Sequence, residues 1–490
     1  MQKGRSLKNA IASKEMGKLN YKRAAWFIVG LWFLLCVTTL NYNGPFFDEG
    51  IYITSGVRTL EGYGLSDLYL TWFGGSLLWP MMAGLGYRAG GLLGARVVAL
   101  LVTTGGFIAF MQAAKNLFGW RVSFWSTLTF ALNGPLFSMA RLAVYDGLAW
   151  AGIAVAFWGI TELKRRDNRA WIAVAAVAYT VATFAKYPVG VMIVPLLGVL
   201  LVTRQDKARF DIGIMGFISA GVGLLVYLPL REQLAQFFTW RLSNTPSFGV
   251  TIQMIGFAIA YLSVAPTLLA IAGWFVAKGK RLLTSIFLVC LTIWPAYHLL
   301  RADPTSTNKH LVFGFLFAYP LVGVALSALW GETKTRYRFL RWGAVGVIVL
   351  ALAGIGFVQV NQADQGWPNA RNAAGYLVNN VQPGDQLLIN ESWPYTMYLY
   401  TSGRIESPWD VYDDYRITHG ESKIDLCEYD WFVNSKGSYS WSEDILRTVE
   451  ECGTFELTYK TVDTAVNLAP DLRYVSYQVY VEVWQNTSER

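Results

Sequence analysis

Two adjacent carboxylates, Asp48 and Glu49, stand where the first long apolar run of the chain ends, in the stretch GPFFDEGIYITSGVRTLEG (44–62). That places them at a membrane surface, just beyond the hydrocarbon, where an acidic group marks a functional site by default. A third acid, Asp146, lies in RLAVYDG together with Arg141, at a turn between two apolar runs. Lys186 ends a further run in FAKYP, Arg301 and Lys309 flank a later turn, and Arg58 closes the stretch after Asp48. Taken singly, each has a plainer use, as a solvated turn acid or as a base among lipid headgroups. Converging, they suit a site that binds a phosphate and activates a hydroxyl. The bases would take phosphate oxygens through charge-assisted hydrogen bonds, and a carboxylate would take the hydroxyl proton.

Such residues need a membrane frame, and the composition supplies it. Of 490 residues, 54% are apolar and 15% charged, with a mean hydropathy of +0.33, as in a polytopic α-helical membrane protein. The net charge of +8 divides unevenly: from Asn361 onward 20 acids face 9 bases, a net of −11, so the part before it carries +19. A basic membrane half indicates inward-facing loops and no nucleic acid partner. Residues 1–23 read as a basic cytoplasmic tail, and 24–40 as an uncleaved signal-anchor. Spans are expected near 24–41, 94–115, 120–138, 147–163, 170–185, 188–202, 211–230, 251–276, 282–300, 311–330 and 343–360, about eleven helices. The apolar but Gly-rich 72–88 is taken as a second surface helix, because only then do all later basic clusters fall inside. The first outer loop is then 42–93, within a membrane domain of 24–360.

Residues 361–490 read as a separate extracytoplasmic α/β domain. Helices are expected at 372–381 and 443–451, and strands at 386–390, 431–434, 455–461 and 474–484. Cys427 and Cys452 are its two cysteines, and an oxidising compartment predicts a disulfide between them. Cys36 and Cys290 lie in apolar segments as packing residues.

An Asp-Glu pair after the first helix, a following surface helix, the Arg141-to-Asp146 turn and Lys186-Tyr187-Pro188 together resemble the GT-C superfamily of membrane glycosyltransferases. Within it, the pattern is most similar to the protein O-mannosyltransferase and aminoarabinose transferase group, over residues 24–330. The resemblance implies an inverting glycosyltransferase that takes a sugar from a polyprenyl-phosphate (dolichyl-phosphate type) carrier to an acceptor outside the cytoplasm, in the plasma membrane. That acceptor would be a protein, a lipid or a glycan. By position, Asp48 resembles the catalytic acid, Glu49 its partner and Asp146 the acid of the second loop. Arg58, Arg141, Lys186, Arg301 and Lys309 would face the donor phosphate. A divalent cation, Mg or Mn, could be held by Asp48 and Asp146. One departure is that TWFGGSLLWP (71–80) lacks the Lys-Pro-Pro stretch of the aminoarabinose transferases.

The rival reading is a transporter or flippase of lipid-linked sugars, which would place charges at mid-membrane and show two related halves. Instead the charges gather at one face. His298, His310 and His419 lack metal-ligand spacing. Trp72 and Trp79 read as interfacial anchors, and Asn390 and Asn486 head glycosylation-acceptor triplets.

Overall fold

The computed structural model describes residues 20–64, 75–243, 248–301, 306–331, 338–413, 416–417, 425–436, 441–468 and 474–488. The basic tail before Asn20, Trp72 and His419 lie outside the described residues. Helix α1 (Tyr21–Thr38) is followed by a short turn and α2 (Phe47–Leu60), which carries Asp48 and Glu49 in its first turn. Acids there face the unpaired amides at the positive end of the helix dipole.

Helix α3 (Leu78–Phe118) is two helices joined at a break at Gly90 and Gly91. Gly91 adopts φ +61°, a conformation that a side chain disfavours. The part before the break overlaps the expected second surface helix and packs on α2. At that crossing a Cβ on Gly56 would meet the backbone of Pro80 and Gly84, so only glycine permits the approach. Trp79 is not an interfacial anchor: it is fully buried, and its indole Nε1 donates to the carbonyl of Ala143 (3.1 Å).

Next come α4 (Trp120–Ala131), α5 (Gly134–Ala140), α6 (Tyr145–Arg166), α7 (Ala170–Ala185), α8 (Ile193–Arg204) and α9 (Ala208–Ser243). The membrane half closes with α10 (Phe248–Val276), α11 (Arg281–Arg301), α12 (Thr307–Leu329) and α13 (Arg338–Asp364). Each expected span overlaps one of these helices. Among the described residues, seven helices are long and apolar enough to cross a membrane, eight if the bent pair α5 and α6 forms one span. Helices α4 and α7 are shorter than that, and α8 and α9 share one apolar stretch, Tyr187–Phe237, whose 51 residues are long enough for two crossings. Helix α12 is the centre of the bundle, with most of its residues buried, whereas α1, α10 and α13 turn apolar faces outward.

The C-terminal part holds a mixed five-stranded sheet in the order β2-β1-β3-β5-β4. Its strands are β1 (Leu387–Ile389), β2 (Val411–Tyr412), β3 (Trp431–Lys436), β4 (Phe455–Leu468) and β5 (Tyr474–Asn486). Strand β1 pairs in parallel with both β2 and β3, whereas β5 pairs antiparallel with β3 and β4. Helices α14 (Ala370–Asn380), α15 (Ser392–Thr401) and α16 (Glu443–Cys452) accompany it. Cys427 and Cys452 form a disulfide with Cα atoms 5.5 Å apart. Asn390 and Asn486 spend their side-chain amides on backbone carbonyls of Ser435 (2.6 Å) and of Cys427 and Tyr429 (2.7 and 3.0 Å).

Helix α15, absent from the sequence reading, ties this domain to α2. A Cβ on Gly50 would strike the backbone of Trp393 and Pro394, the rings of Phe47 and Trp393 meet edge-on at 6.2 Å, and Tyr87 and Thr401 share a 3.0 Å hydrogen bond. The chain entering the domain is fastened too: the Asn43 amide donates to the carbonyls of Asp364 and Trp367 (3.0 and 3.1 Å).

Candidate active site

The two adjacent acids of α2 point to different partners. Glu49 is fully buried and accepts four hydrogen bonds. Arg96 supplies two of them, Nε to Oε1 at 2.9 Å and Nη2 to Oε2 at 2.7 Å; the amides of Ala143 (2.7 Å) and Phe46 (2.8 Å) supply the others. A carboxylate has about four acceptor positions, so this one is saturated. Arg96 spends its remaining donors on the carbonyls of Leu40, Asn43 and Gly44 (2.8, 3.0 and 2.8 Å). One ion pair therefore fastens the start of α2 to α3, to the end of α1 and to the turn before α6, which fixes where Asp48 points.

Asp48 lies in a second, less crowded cluster. Its Oδ2 accepts from Lys309 Nζ at 2.6 Å, and the same ammonium lies 3.8 Å from Oδ2 of Asp146. Asp146 Oδ1 accepts from Lys186. Helices α2, α6 and α12 and the turn after α7 thus meet in a chain of alternating charge: Asp48, Lys309, Asp146, Lys186. Three of the four side chains are less than a tenth exposed, whereas that of Asp48 is 27% exposed. Asp146 Oδ2 is buried without a hydrogen-bond partner among the described residues. An aromatic floor completes the cluster, with Lys309 over Phe46 (4.8 Å), Lys186 over Tyr145 (5.0 Å) and Tyr52 packed on Tyr145 (4.7 Å). Burial first, then Tyr145, Asp48 and Asp146, push the Tyr52 hydroxyl well above its usual range, so it stays neutral.

Of the other bases expected at a phosphate, two have partners elsewhere and the third is exposed. Arg141 forms a bidentate pair with Asp364 (3.0 and 2.5 Å) and lies over the Tyr42 and Phe137 rings, pinning α5 to the end of α13. Arg58 sits about 15 Å along α2 from Asp48 at 1.5 Å per residue. There it is buried against Tyr63 and donates to Tyr400 Oη (3.3 Å), which in turn donates to Glu61 (2.5 Å). Burial, then the Glu61 hydrogen bond, raise the Tyr400 hydroxyl above its usual range. Arg301 ends α11 with its side chain exposed. Beside Lys309 the structure adds a pair that the sequence reading kept apart: His310 Nδ1 is 2.9 Å from His298 Nε2, so one nitrogen donates and the other accepts. Trp294 packs on His310 at 4.5 Å.

Asp48 and Asp146 are each engaged by an ammonium in this structure. Among the described residues no group of three or more His, Cys, Asp or Glu side chains converges.

No family model and no curated protein matches the sequence. Solved structures do match in shape. ArnT from Cupriavidus metallidurans in the apo state aligns over 93% of this chain and 97% of its own, with a TM-score of 0.60 at 14% identity. The same protein bound to undecaprenyl phosphate aligns over the same shares, with a TM-score of 0.57 at 16% identity. The Archaeoglobus fulgidus oligosaccharyltransferase in the apo form aligns over 84% of this chain and 69% of its own, with a TM-score of 0.53 at 10% identity. At these identities the likeness is one of fold: this chain shares the fold of ArnT and of the archaeal oligosaccharyltransferase.

Proposed function

We propose that this chain is an inverting glycosyltransferase that moves a sugar from a polyprenyl-phosphate carrier to an acceptor hydroxyl at the membrane surface where residues 361–490 lie, with the N-terminus on the cytoplasmic side. One observation carries the reading: Asp48 is the accessible end of a buried chain of two carboxylates and two ammoniums. The fold is shared with ArnT, one of whose structures holds undecaprenyl phosphate.

In the reaction the acceptor oxygen bonds to the anomeric carbon as the bond from that carbon to the phosphate oxygen breaks. The electron pair leaves with the polyprenyl phosphate, and the hydroxyl proton passes to Asp48. A positioned carboxylate base contributes about 10²–10⁴-fold. Lys309 exchanges part of its bond to Asp48 for the donor phosphate, which frees a lone pair on the base and neutralises the leaving group in a low-dielectric site. Asp146, held by Lys186, keeps Lys309 charged and offers its unpartnered Oδ2 to a sugar hydroxyl. Glu49 acts by position, through Arg96.

The test is incubation of the purified protein with a polyprenyl-phosphate sugar. Release of polyprenyl phosphate with transfer or slow hydrolysis of the sugar is expected. Passage of intact donor across a liposome membrane without cleavage would replace this reading with the flippase.

A further inference from the structure

Helix α6, which carries Asp146 at one end, borders a basic cavity at the other. Asp146 opens α6 and Lys164 lies in its last turn, about 27 Å away at 1.5 Å per residue, which is close to the ~30 Å of a bilayer's hydrocarbon. Around Lys164 a cavity of about 490 Å³ opens between α6 and the ends of α3, α8 and α11, and Lys280 and Arg281 also line it. None of its lining residues is acidic.

Among the described residues, neither Lys280 nor Arg281 owes its placement to a carboxylate. Lys280 donates to the carbonyl of Leu117, and Arg281 donates to those of Trp274 (2.8 Å) and Phe275 (3.1 Å). Three of the acids near it in the chain are held by other bases: Glu162 by Arg165 and Arg166, Asp167 by Arg204 and Lys207, and Asp211 by Arg204. Three positive charges thus share a pocket, and two of them, Lys280 and Arg281, are fixed by carbonyl contacts that do not neutralise them. Two apolar side chains of its rim, Leu201 (49% exposed) and Leu282 (66%), face outward where acyl chains would run.

We propose that this cavity is a binding site for the phosphate of an anionic phospholipid, at the membrane face opposite the carboxylate cluster. Basic pockets between helix ends take lipid headgroups in this way, each lysine or arginine adding to the attraction. A free phosphorylated solute shares the phosphate but not the acyl chains that would cover Leu201 and Leu282.

The test uses the full chain, delipidated in a neutral detergent, and titrates phosphatidylglycerol, phosphatidylcholine and inorganic phosphate separately. Binding is followed by native mass spectrometry and by thermal shift. Phosphatidylglycerol is expected to bind with one copy retained per chain and to raise the Tm, while the other two do neither. Lys164→Gln, at an exposed position, should weaken that binding about fivefold without changing the Tm of the lipid-free protein; Lys164→Gln with Lys280→Gln should weaken it about 30-fold. Equal binding of phosphatidylcholine, equal stabilisation by inorganic phosphate, or unchanged phosphatidylglycerol affinity in Lys164→Gln would each overturn the proposal.

Discussion

Asp48 and Glu49 are neighbours on one helix, yet they belong to opposite kinds of ion cluster. Around Glu49 every acceptor position is filled and Arg96 is spent on the carboxylate and three backbone carbonyls. Around Asp48 the charges are just as close, but one carboxylate reaches solvent, another has an oxygen without a hydrogen-bond partner among the described residues, and one ammonium is shared between the two. A saturated buried pair can only hold its surroundings in place, because altering either partner leaves a charge stranded. An unsaturated one can trade partners with a substrate. The difference teaches that closeness of charges does not identify a catalytic group; unspent hydrogen-bonding capacity with a way in does.

The sharpest way to break this comparison is to disturb the saturated cluster. Glu49→Gln leaves Arg96 charged and buried, and breaking such a pair costs about 3–5 kcal/mol. Thermal unfolding in detergent should show a large loss of stability, and the protein that stays folded should lose activity as well, because Asp48 is no longer held in place. A Glu49→Gln protein as stable as wild type would show that the pair does not fasten α2. In the other cluster, Lys309→Gln should leave folding nearly intact, since Asp146 keeps Lys186. Its effect should be a donor Kd raised by roughly 10- to 150-fold, the worth of a hydrogen bond to a charged group, about 1.5–3 kcal/mol. Equilibrium binding of labelled donor checks it. A smaller effect is expected where the surface helices cross. Gly56→Ala gains up to about 1 kcal/mol of helix propensity but drives a methyl into the backbone of Pro80, at a cost of about 1–3 kcal/mol. A modest net fall in Tm is expected, and an unchanged Tm would show that α2 and α3 can separate freely.

The unsaturated cluster was legible in the sequence because membrane chemistry makes it conspicuous. Asp48 follows the first apolar run, and Lys186 and Lys309 are bases on the side where bases are scarce. What pairs with what was not legible. Arg96 and Glu49 pair across 47 residues, and Arg141 and Asp364 across 223, separations that leave no local signal in the sequence. Helix α15 was missed because SWPYTMYLYT is rich in aromatic and β-branched residues and contains a proline; packing on α2 overrides those preferences. The histidine pair was missed for a related reason: spacing reports neighbours within one helix, whereas His298 and His310 meet across a turn between two. Span lengths were legible only approximately, since breaks such as that at Gly91 depend on local backbone conformation and leave little trace in hydropathy.

The central claim is that Asp48 takes the proton, and a single-turnover measurement on Asp48→Asn with saturating lipid-linked donor tests it most directly. The amide keeps the shape of the side chain and can still hydrogen-bond the acceptor, but it cannot accept the proton. The expected result is folded protein with the Tm within a few degrees of wild type, donor bound with similar affinity, and a transfer rate lower by about 10²–10⁴-fold. A transfer rate close to that of wild type would contradict the account and remove Asp48 from the chemical step.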